Sequence, residues 1–236
     1  MSLVDRPVIR RPGQNAVVFG LKGSGKTYLV RRLLLHHPRV LIVDPHREYG
    51  SVAVEVSSPQ ELTDYLEGTA GRWRIAYFNT HLEDDFELLT RAAWSIGNLL
   101  FVVEEVDRFC SPTWISDSFF QIVNYGRHAP GGELAGSRPV DYLAVSRTPA
   151  DVHRSLTRQA YEIYCFTIAE PRDIDYLSRW VSRDFAEGLS TLPPQHHRFM
   201  DLYNRLKGWR DLTPREAPGV DHPDADEADA DEGDRV

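Results

Sequence analysis

One octapeptide constrains this chain more than any other feature. Gly20-Leu21-Lys22-Gly23-Ser24-Gly25-Lys26-Thr27 fits the pattern G-x-x-x-x-G-K-[S/T]. It stands between a compact apolar run, Ala16–Gly20, and a stretch from Gly25 to His36 that carries Leu29, Leu33 and Leu34 on one face. The glycines Gly20, Gly23 and Gly25 let the backbone wrap closely, so that the amides around Ser24 point at phosphate oxygens. The helix that follows offers its N-terminus to the same anion. Lys26 is placed to reach the β- and γ-phosphates of a nucleoside triphosphate, and the Thr27 hydroxyl to ligate Mg²⁺. With glycine at about 7% of residues, a chance match in a chain of this length arises about once in a hundred. Lys22 reads as a solvated loop charge.

The rest of the chain supplies the setting that such a loop needs. Apolar runs at Val40–Asp44, Arg74–Asn79, Leu99–Glu104, Tyr142–Ser146 and Tyr161–Ile168 read as further strands. Helical patterns alternate with them: Ser58-Pro59-Gln60-Glu61 opens one that runs to Glu67, and others cover Leu82–Ser95, Trp114–Tyr125, a stretch from Ala150, and Pro171–Ala186. The run RFMDLYN before Gly208 reads as a late strand and half of a hairpin. Strands alternating with helices predict an α/β fold, a P-loop NTPase with a mostly parallel central sheet flanked by helices.

Composition adds boundaries and exclusions. Of the net charge of −8, the last 25 residues hold nine acidic and two basic side chains, or −7, which leaves a body close to neutral. That tail lacks aromatics and has almost no large aliphatics, so residues 1–211 are expected to form one domain and 212–236 an acidic disordered tail. The longest apolar run, Leu99–Val103, is far too short to cross a membrane, and no apolar leader opens the sequence. Two cysteines, Cys110 and Cys165, make neither a disulfide framework nor a zinc cluster, and a reducing compartment fits. His196-His197 has no ligand partner at metal spacing and reads as a surface pair.

A second acidic motif completes the chemistry. The run Leu99–Val103 ends in Glu104-Glu105. Downstream of a phosphate loop, one carboxylate serves the Mg²⁺ shell and the next orients and activates a water for attack on the γ-phosphate. Glu104 is assigned to the metal and Glu105 to the water. The competing explanation is a pair of acids favoured at a helix start, and Asp107 is read in that way.

These residues resemble the HerA/FtsK superfamily of DNA-pumping ATPases from about Val17 to Leu177. Asp44-Pro45-His46-Arg47-Glu48-Tyr49 matches the D-P-x-x-E-Y run that follows the second strand in HerA-like members. The second motif of that family is usually aspartate-glutamate, so Glu104 is a departure at the metal position. Tyr125-Gly126-Arg127-His128 is similar to the arginine-bearing stretch of the family, and Ala144–Asp151 to its fifth-strand end, with Ser146 where a sensor glutamine is usual. The resemblance implies ATP and Mg²⁺ as cofactors and Asp44 near the nucleotide. It also implies Arg127 as a finger reaching the γ-phosphate of a neighbouring subunit, Arg147 as a sensor in its own subunit, and a homo-oligomeric ring, a hexamer, around double-stranded DNA. Residues 129–139, with Arg138, would line the pore. The small size is similar to the genome-packaging ATPases of icosahedral internal-membrane viruses, which implies a place in the host cytoplasm or at a capsid vertex, with capsid or membrane-protein partners. Three other readings compete: a cellular or plasmid HerA-like translocase, a secretion or virion-assembly ATPase acting on protein, and a small-molecule P-loop kinase. A kinase needs an acceptor site and not a water-activating acid, so the glutamate pair argues against it.

Overall fold

The computed structural model describes residues 15–129, 138–192, 198–203 and 206–211. The expected tail at 212–236, most of the 129–139 loop and His196-His197 lie outside the described residues.

In chain order the elements are β1 (Ala16–Phe19), α1 (Lys26–Leu34), β2 (Arg39–Val43), β3 (Val54–Val56), α2 (Pro59–Gly68), β4 (Trp73–Tyr77), α3 (Leu82–Ile96) and β5 (Leu99–Val103). There follow β6 (Cys110–Ser111), β7 (Trp114–Ile115), α4 (Asp117–Tyr125), β8 (Val140–Ser146), α5 (Arg154–Gln159), β9 (Glu162–Cys165), α6 (Pro171–Trp180), α7 (Arg183–Leu189), β10 (Arg198–Tyr203) and β11 (Leu206–Asp211). Nine strands form one sheet in the order β11-β10-β9-β1-β8-β5-β2-β4-β3. From β9 to β3 every pairing is parallel, while β10 and β11 are antiparallel additions at one edge.

Burial on both faces explains why β1, β5, β2 after Arg39 and the Tyr142–Val145 centre of β8 are continuous apolar runs rather than alternating ones. Successive residues feed opposite cores. Val18, Val40, Ile42, Leu100 and Val102 pack with Leu29, Val30, Leu33 and Leu34 of α1 on one face. Phe19, Leu41, Phe101 and Val103 pack on the other with Leu89 of α3, Phe119 and Ile122 of α4, Leu156 of α5, Leu177 of α6 and Phe185 of α7. On that second face Phe86, Phe101, Phe109 and Phe119 form an aromatic knot, with Phe86 stacked on Phe109 at 4.2 Å.

Helix starts follow local chemistry. Ser58 caps α2, its Oγ accepting the Glu61 N–H at 3.2 Å, with proline in the first turn. Glu61 in turn accepts the backbone N–H of Ser57 at 2.6 Å and its hydroxyl at 3.0 Å. Glu83, Asp84 and Asp85 fill the first turn of α3, where the helix dipole favours negative charge.

Several boundaries differ from the sequence expectation. The expected helix at Trp114–Tyr125 begins only at Asp117, because Ser116 caps it and the preceding residues form the small β6–β7 hairpin. The expected helix Pro171–Ala186 is two helices, broken where Ser182 caps α7 by accepting the Phe185 N–H. The helix expected from Ala150 starts at Arg154, after a single 3₁₀ turn over Pro149–Asp151. The short strand β3 was not expected. Three residues are too few to show a period. The late strand is indeed half of a hairpin, β10–β11.

Candidate nucleotide site

The carboxyl ends of β1, β2, β5 and β8 lie side by side, and every parallel strand delivers its following loop to this edge. Ligands of open α/β sheets bind at this position. Gly20 leaves β1 with φ 149°, and a Cβ there would stand 2.6 Å from Phe166 Cβ. Only glycine permits that approach. The loop then turns through Gly23 and closes with the Ser24 N–H bonded to the Leu21 carbonyl at 3.3 Å. Gly25, at φ 104°, forms the N-cap of α1 without any side-chain cap, and the first turn of α1 has no acidic residue. The leading amides of α1 therefore face the loop without an internal acceptor, which is the ground state of an anion cradle.

Lys26 curls back over this cradle. Its Nζ donates to the carbonyls of Gly20 at 2.8 Å and Leu21 at 2.9 Å. Burial lowers its pKa, and the nearby Glu104 carboxylate opposes that shift. Thr27, next on the helix, donates its hydroxyl to Glu48 Oε2 at 2.9 Å.

The D-P-x-x-E-Y run is a tight loop built on Asp44. The Asp44 carboxylate is buried and accepts the N–H groups of Glu48 and Tyr49, each at 3.0 Å. Burial raises its pKa, while those amide bonds act the other way. Asp44 thus holds the loop that carries Glu48 and Tyr49 into the site, and its two oxygens are engaged in doing so. Tyr49 is fully buried and donates its hydroxyl to Glu104 Oε1.

Glu104 and Glu105 stand side by side with different surroundings. Glu104 is buried, and burial pushes its pKa up to about 7 even though the Tyr49 hydroxyl and Lys26 favour its charge. Glu105 takes a left-handed conformation, φ 47° and ψ 51°, which turns its side chain away from the strand direction. Its carboxylate meets His46 Nε2 at 2.8 Å and Arg147 Nη2 at 2.7 Å on one oxygen, with Arg108 3.9 Å from the other. Burial pushes the Glu105 carboxyl up, but those three side chains outweigh it and hold its pKa below the ordinary value. Ser146, at the end of β8, donates to Asp107 at 2.6 Å and so ties that strand end to the loop after β5.

The fold therefore assembles Gly20, Gly23, Ser24, Gly25, Lys26, Thr27, Asp44, Glu104, Glu105 and Arg147 at one sheet edge. Arg127 is elsewhere. Gly126 packs so closely on the Val140 carbonyl that a Cβ would stand 2.2 Å from it, which fixes Arg127 beside the amino end of β8. The seven residues of β8 separate it from Arg147, a span of about 20 Å at ~3.3 Å per residue. Arg127 cannot touch a phosphate held by its own chain. Glu48, Tyr49 and His46 are site residues that the motif reading quoted without a role. The signal was present in their spacing from Asp44, since an aspartate that binds amides four and five residues on must bring those residues back to its own strand end.

The residues suit a hard cation. The Thr27 hydroxyl bonds to Glu48 and the charge of Glu48 acts on the buried Glu104, so oxygen donors lie beside the phosphate cradle, and a buried carboxylate with a raised pKa gains most from a neighbouring cation.

Comparison with known proteins agrees with this geometry. No curated protein sequence matches the chain. The structure is similar to that of the genome packaging NTPase B204 from Sulfolobus turreted icosahedral virus 2 in complex with ATP-gammaS, with 20% identity, a TM-score of 0.69, and 85% of this chain and 98% of that one covered. The DNA-packaging ATPase B204 from Sulfolobus Turreted Icosahedral Virus gives 18% identity and a TM-score of 0.65 over 85% and 98%. VirB4 of Thermoanaerobacter pseudethanolicus gives 12% and 0.59 over 89% and 94%. At these identities the likeness establishes a shared fold. The description of the AAA domain matches residues 9–130, just over half of the chain, and the chain belongs to that family of P-loop ATPases.

Proposed function

We propose that this ATPase is a motor that translocates double-stranded DNA, as a viral genome-packaging ATPase, and that it works as a homo-oligomeric ring, a hexamer. The observation that carries the reading is the pairing of a phosphate cradle with two adjacent carboxylates at the end of β5, one buried against Lys26 and one held by cations. In this reading the cradle amides and Lys26 bind the β- and γ-phosphates of ATP. Thr27 and Glu104 would hold Mg²⁺, which would supply neutralisation of the phosphate charge. Tyr49 fixes the rotamer of Glu104, and Glu105 accepts a proton from the attacking water after leaving His46 and Arg147. Arg147 is then free to follow the γ-phosphate. Arg127, distant from its own site, serves the next subunit across a head-to-tail interface, the kind that closes into rings.

The B204 proteins are named for genome and DNA packaging, which supports DNA as the substrate. Among the described residues no helix is long and apolar enough to cross a membrane, so a place in the host cytoplasm or docked at a capsid vertex fits. The same site suits a second reading, a secretion or virion-assembly ATPase that acts on protein, because a cradle with two adjacent carboxylates hydrolyses ATP whatever the motor moves. Duplex-stimulated ATP hydrolysis separates the two. Stimulation by linear duplex, lost in Glu105→Gln while ATP binding persists, is the expected result. Hydrolysis indifferent to DNA would favour the second reading.

A further inference from the structure

The amino ends of the parallel strands form a second edge, on the far side of the sheet from the nucleotide. Arginines crowd it. Arg39 begins β2, Arg72 and Arg74 flank Trp73 at the start of β4, and Arg138 lies two residues ahead of β8. In the sheet, Arg39 is in register with Trp73, and Val40 with Arg74. Arg39 also reaches the other way, its Nη1 donating to the Gly97 carbonyl at 3.5 Å, and Gly97 abuts Arg138. Arg127 adjoins the same strand start. None of these five arginines makes an ion pair with a carboxylate among the described residues. Asp141 and Glu162, the acids nearest on the strands themselves, are buried.

The cluster is held at a cost. Arg39 and Arg74 are half-buried, and each has an Nε with no hydrogen-bond partner among the described residues. Burial lowers the pKa of both, and a second arginine adds to the shift in each case, Arg138 for Arg39 and Arg72 for Arg74. Trp73 stacks under the Arg39 guanidinium at 5.1 Å, and the Leu35 carbonyl accepts from Arg74 at 3.4 Å, so these side chains are ordered before any ligand arrives. Like charges gathered, ordered and left without acids are relieved by a polyanion.

We infer that this edge is the surface that grips the phosphate backbone of duplex DNA, an inference that rests on the DNA-motor reading above. The strand starts from β8 to β4 span about 15 Å at ~4.8 Å per strand, with Arg39 on the Trp73 face of the sheet and Arg74 on the α1 face, so the arginines flank the sheet's end as a band. That band can bridge the two phosphate chains that border a major groove about 12 Å wide. With Arg127 kept for the nucleotide of the next subunit, the four cations left for DNA, Arg39, Arg72, Arg74 and Arg138, are all arginines, whose planar forks bind phosphate oxygens in pairs. The band reads no bases, as a motor that must pass any sequence requires.

The test uses the full chain and a fluorescent 30-base-pair duplex, with binding measured by anisotropy across a salt series. Arg72→Gln/Arg138→Gln removes two exposed cations that leave no carboxylate orphaned, and thermal melting checks that it folds. The expected result is a slope of log K against log salt shallower by about 1.8, at ~0.9 per phosphate contact on B-DNA, with affinity at 0.1 M salt reduced tenfold or more. Arg72→Lys/Arg138→Lys should retain the wild-type slope. Wild-type slope and affinity in the glutamine variant would overturn the assignment and leave the motor reading standing. Competition by polyglutamate as effective as by duplex would overturn it in favour of an acidic protein partner. Failure of the wild-type chain to bind duplex at low salt, with ATP hydrolysis intact, would overturn both.

Discussion

The two edges of the sheet use the same residue type in opposite ways. At the carboxyl edge, Arg108 and Arg147 both face Glu105, and the neighbouring Arg47 pairs with Glu55 at 2.7 Å. At the amino edge, Arg39, Arg72, Arg74, Arg127 and Arg138 have no such partners among the described residues. The difference teaches what to look for. Paired charges form a network that can be rearranged within the molecule, as in the proposed mechanism, where Arg147 leaves Glu105 for the γ-phosphate; Arg108 already has Glu83 as a second partner. Unpaired charges wait for something outside it.

The largest effect should come from breaking the carboxyl edge alone. Lys26→Ala should abolish ATP hydrolysis, because both nucleotide binding and the charge developing on the transferred phosphoryl group depend on it. Its melting temperature should stay near wild type, since Lys26 bonds only to loop carbonyls. Duplex binding at the other edge should survive, and steady-state hydrolysis with anisotropy on the same preparation checks both. Normal turnover would remove the nucleotide-site assignment.

Next in size is the link between edges. Arg127→Ala should also be nearly inactive, because a finger acting in trans contributes about 10³–10⁵ in rate. Mixed with Lys26→Ala subunits, some interfaces regain an intact cradle and an intact finger, so activity should partly return. No recovery in rings shown by mass to be mixed would count against Arg127 and turn attention to Arg138 or Arg147.

A third, smaller effect concerns stability against pH. Glu104 has a folded pKa of about 7 against an ordinary value of 4.5. Between those values the folded state holds a proton that the unfolded state has lost, so stability falls as pH rises through this window and levels off above it. Glu104→Gln keeps the shape and removes the charge. It should melt higher than wild type at pH 8, by on the order of 3 kcal/mol, and about equally at pH 4. Calorimetry without nucleotide at the two pH values checks this, and an equal difference at both would show that Glu104 is not buried as an ion.

The smallest effect should follow removal of residues 213–236. Melting temperature and basal hydrolysis should change little, because the segment has almost nothing apolar to bury. Its seven net negative charges should compete with duplex for the amino edge, so truncation should tighten DNA binding at low salt, and the gain should vanish near 0.5 M salt. Unchanged binding at low salt would show that the tail does not reach that edge.

How much of this could be read from the chain itself depended on the range of the interactions involved. The cradle is local: eight consecutive residues determine Gly20, Gly25, Lys26 and Thr27, so the motif sufficed. The parallel sheet was legible because strands buried on both faces are uniformly apolar. The Glu104-Glu105 pair was visible as a departure from apolarity at a strand end. What escaped notice was set by contacts between distant segments. Tyr49 meets Glu104 across 55 positions, and Arg39 meets Arg138 only because β5 separates β2 from β8. The separation of Arg127 from its own cradle likewise depends on which end of β8 it adjoins. The helix breaks at Ser116 and Ser182 were local and could have been found, since both are serines three residues ahead of a phenylalanine whose N–H they cap.

The left-handed backbone of Glu105 has a consequence for anyone who wishes to make this protein more robust. A side chain at positive φ costs about 1–2 kcal/mol that glycine avoids, and ion pairs as accessible as those to His46 and Arg147 return little of it. A screen for heat resistance should therefore favour Glu105→Gly, and in doing so discard the carboxylate proposed above to activate water. In the proposed mechanism durability and turnover compete at this one position.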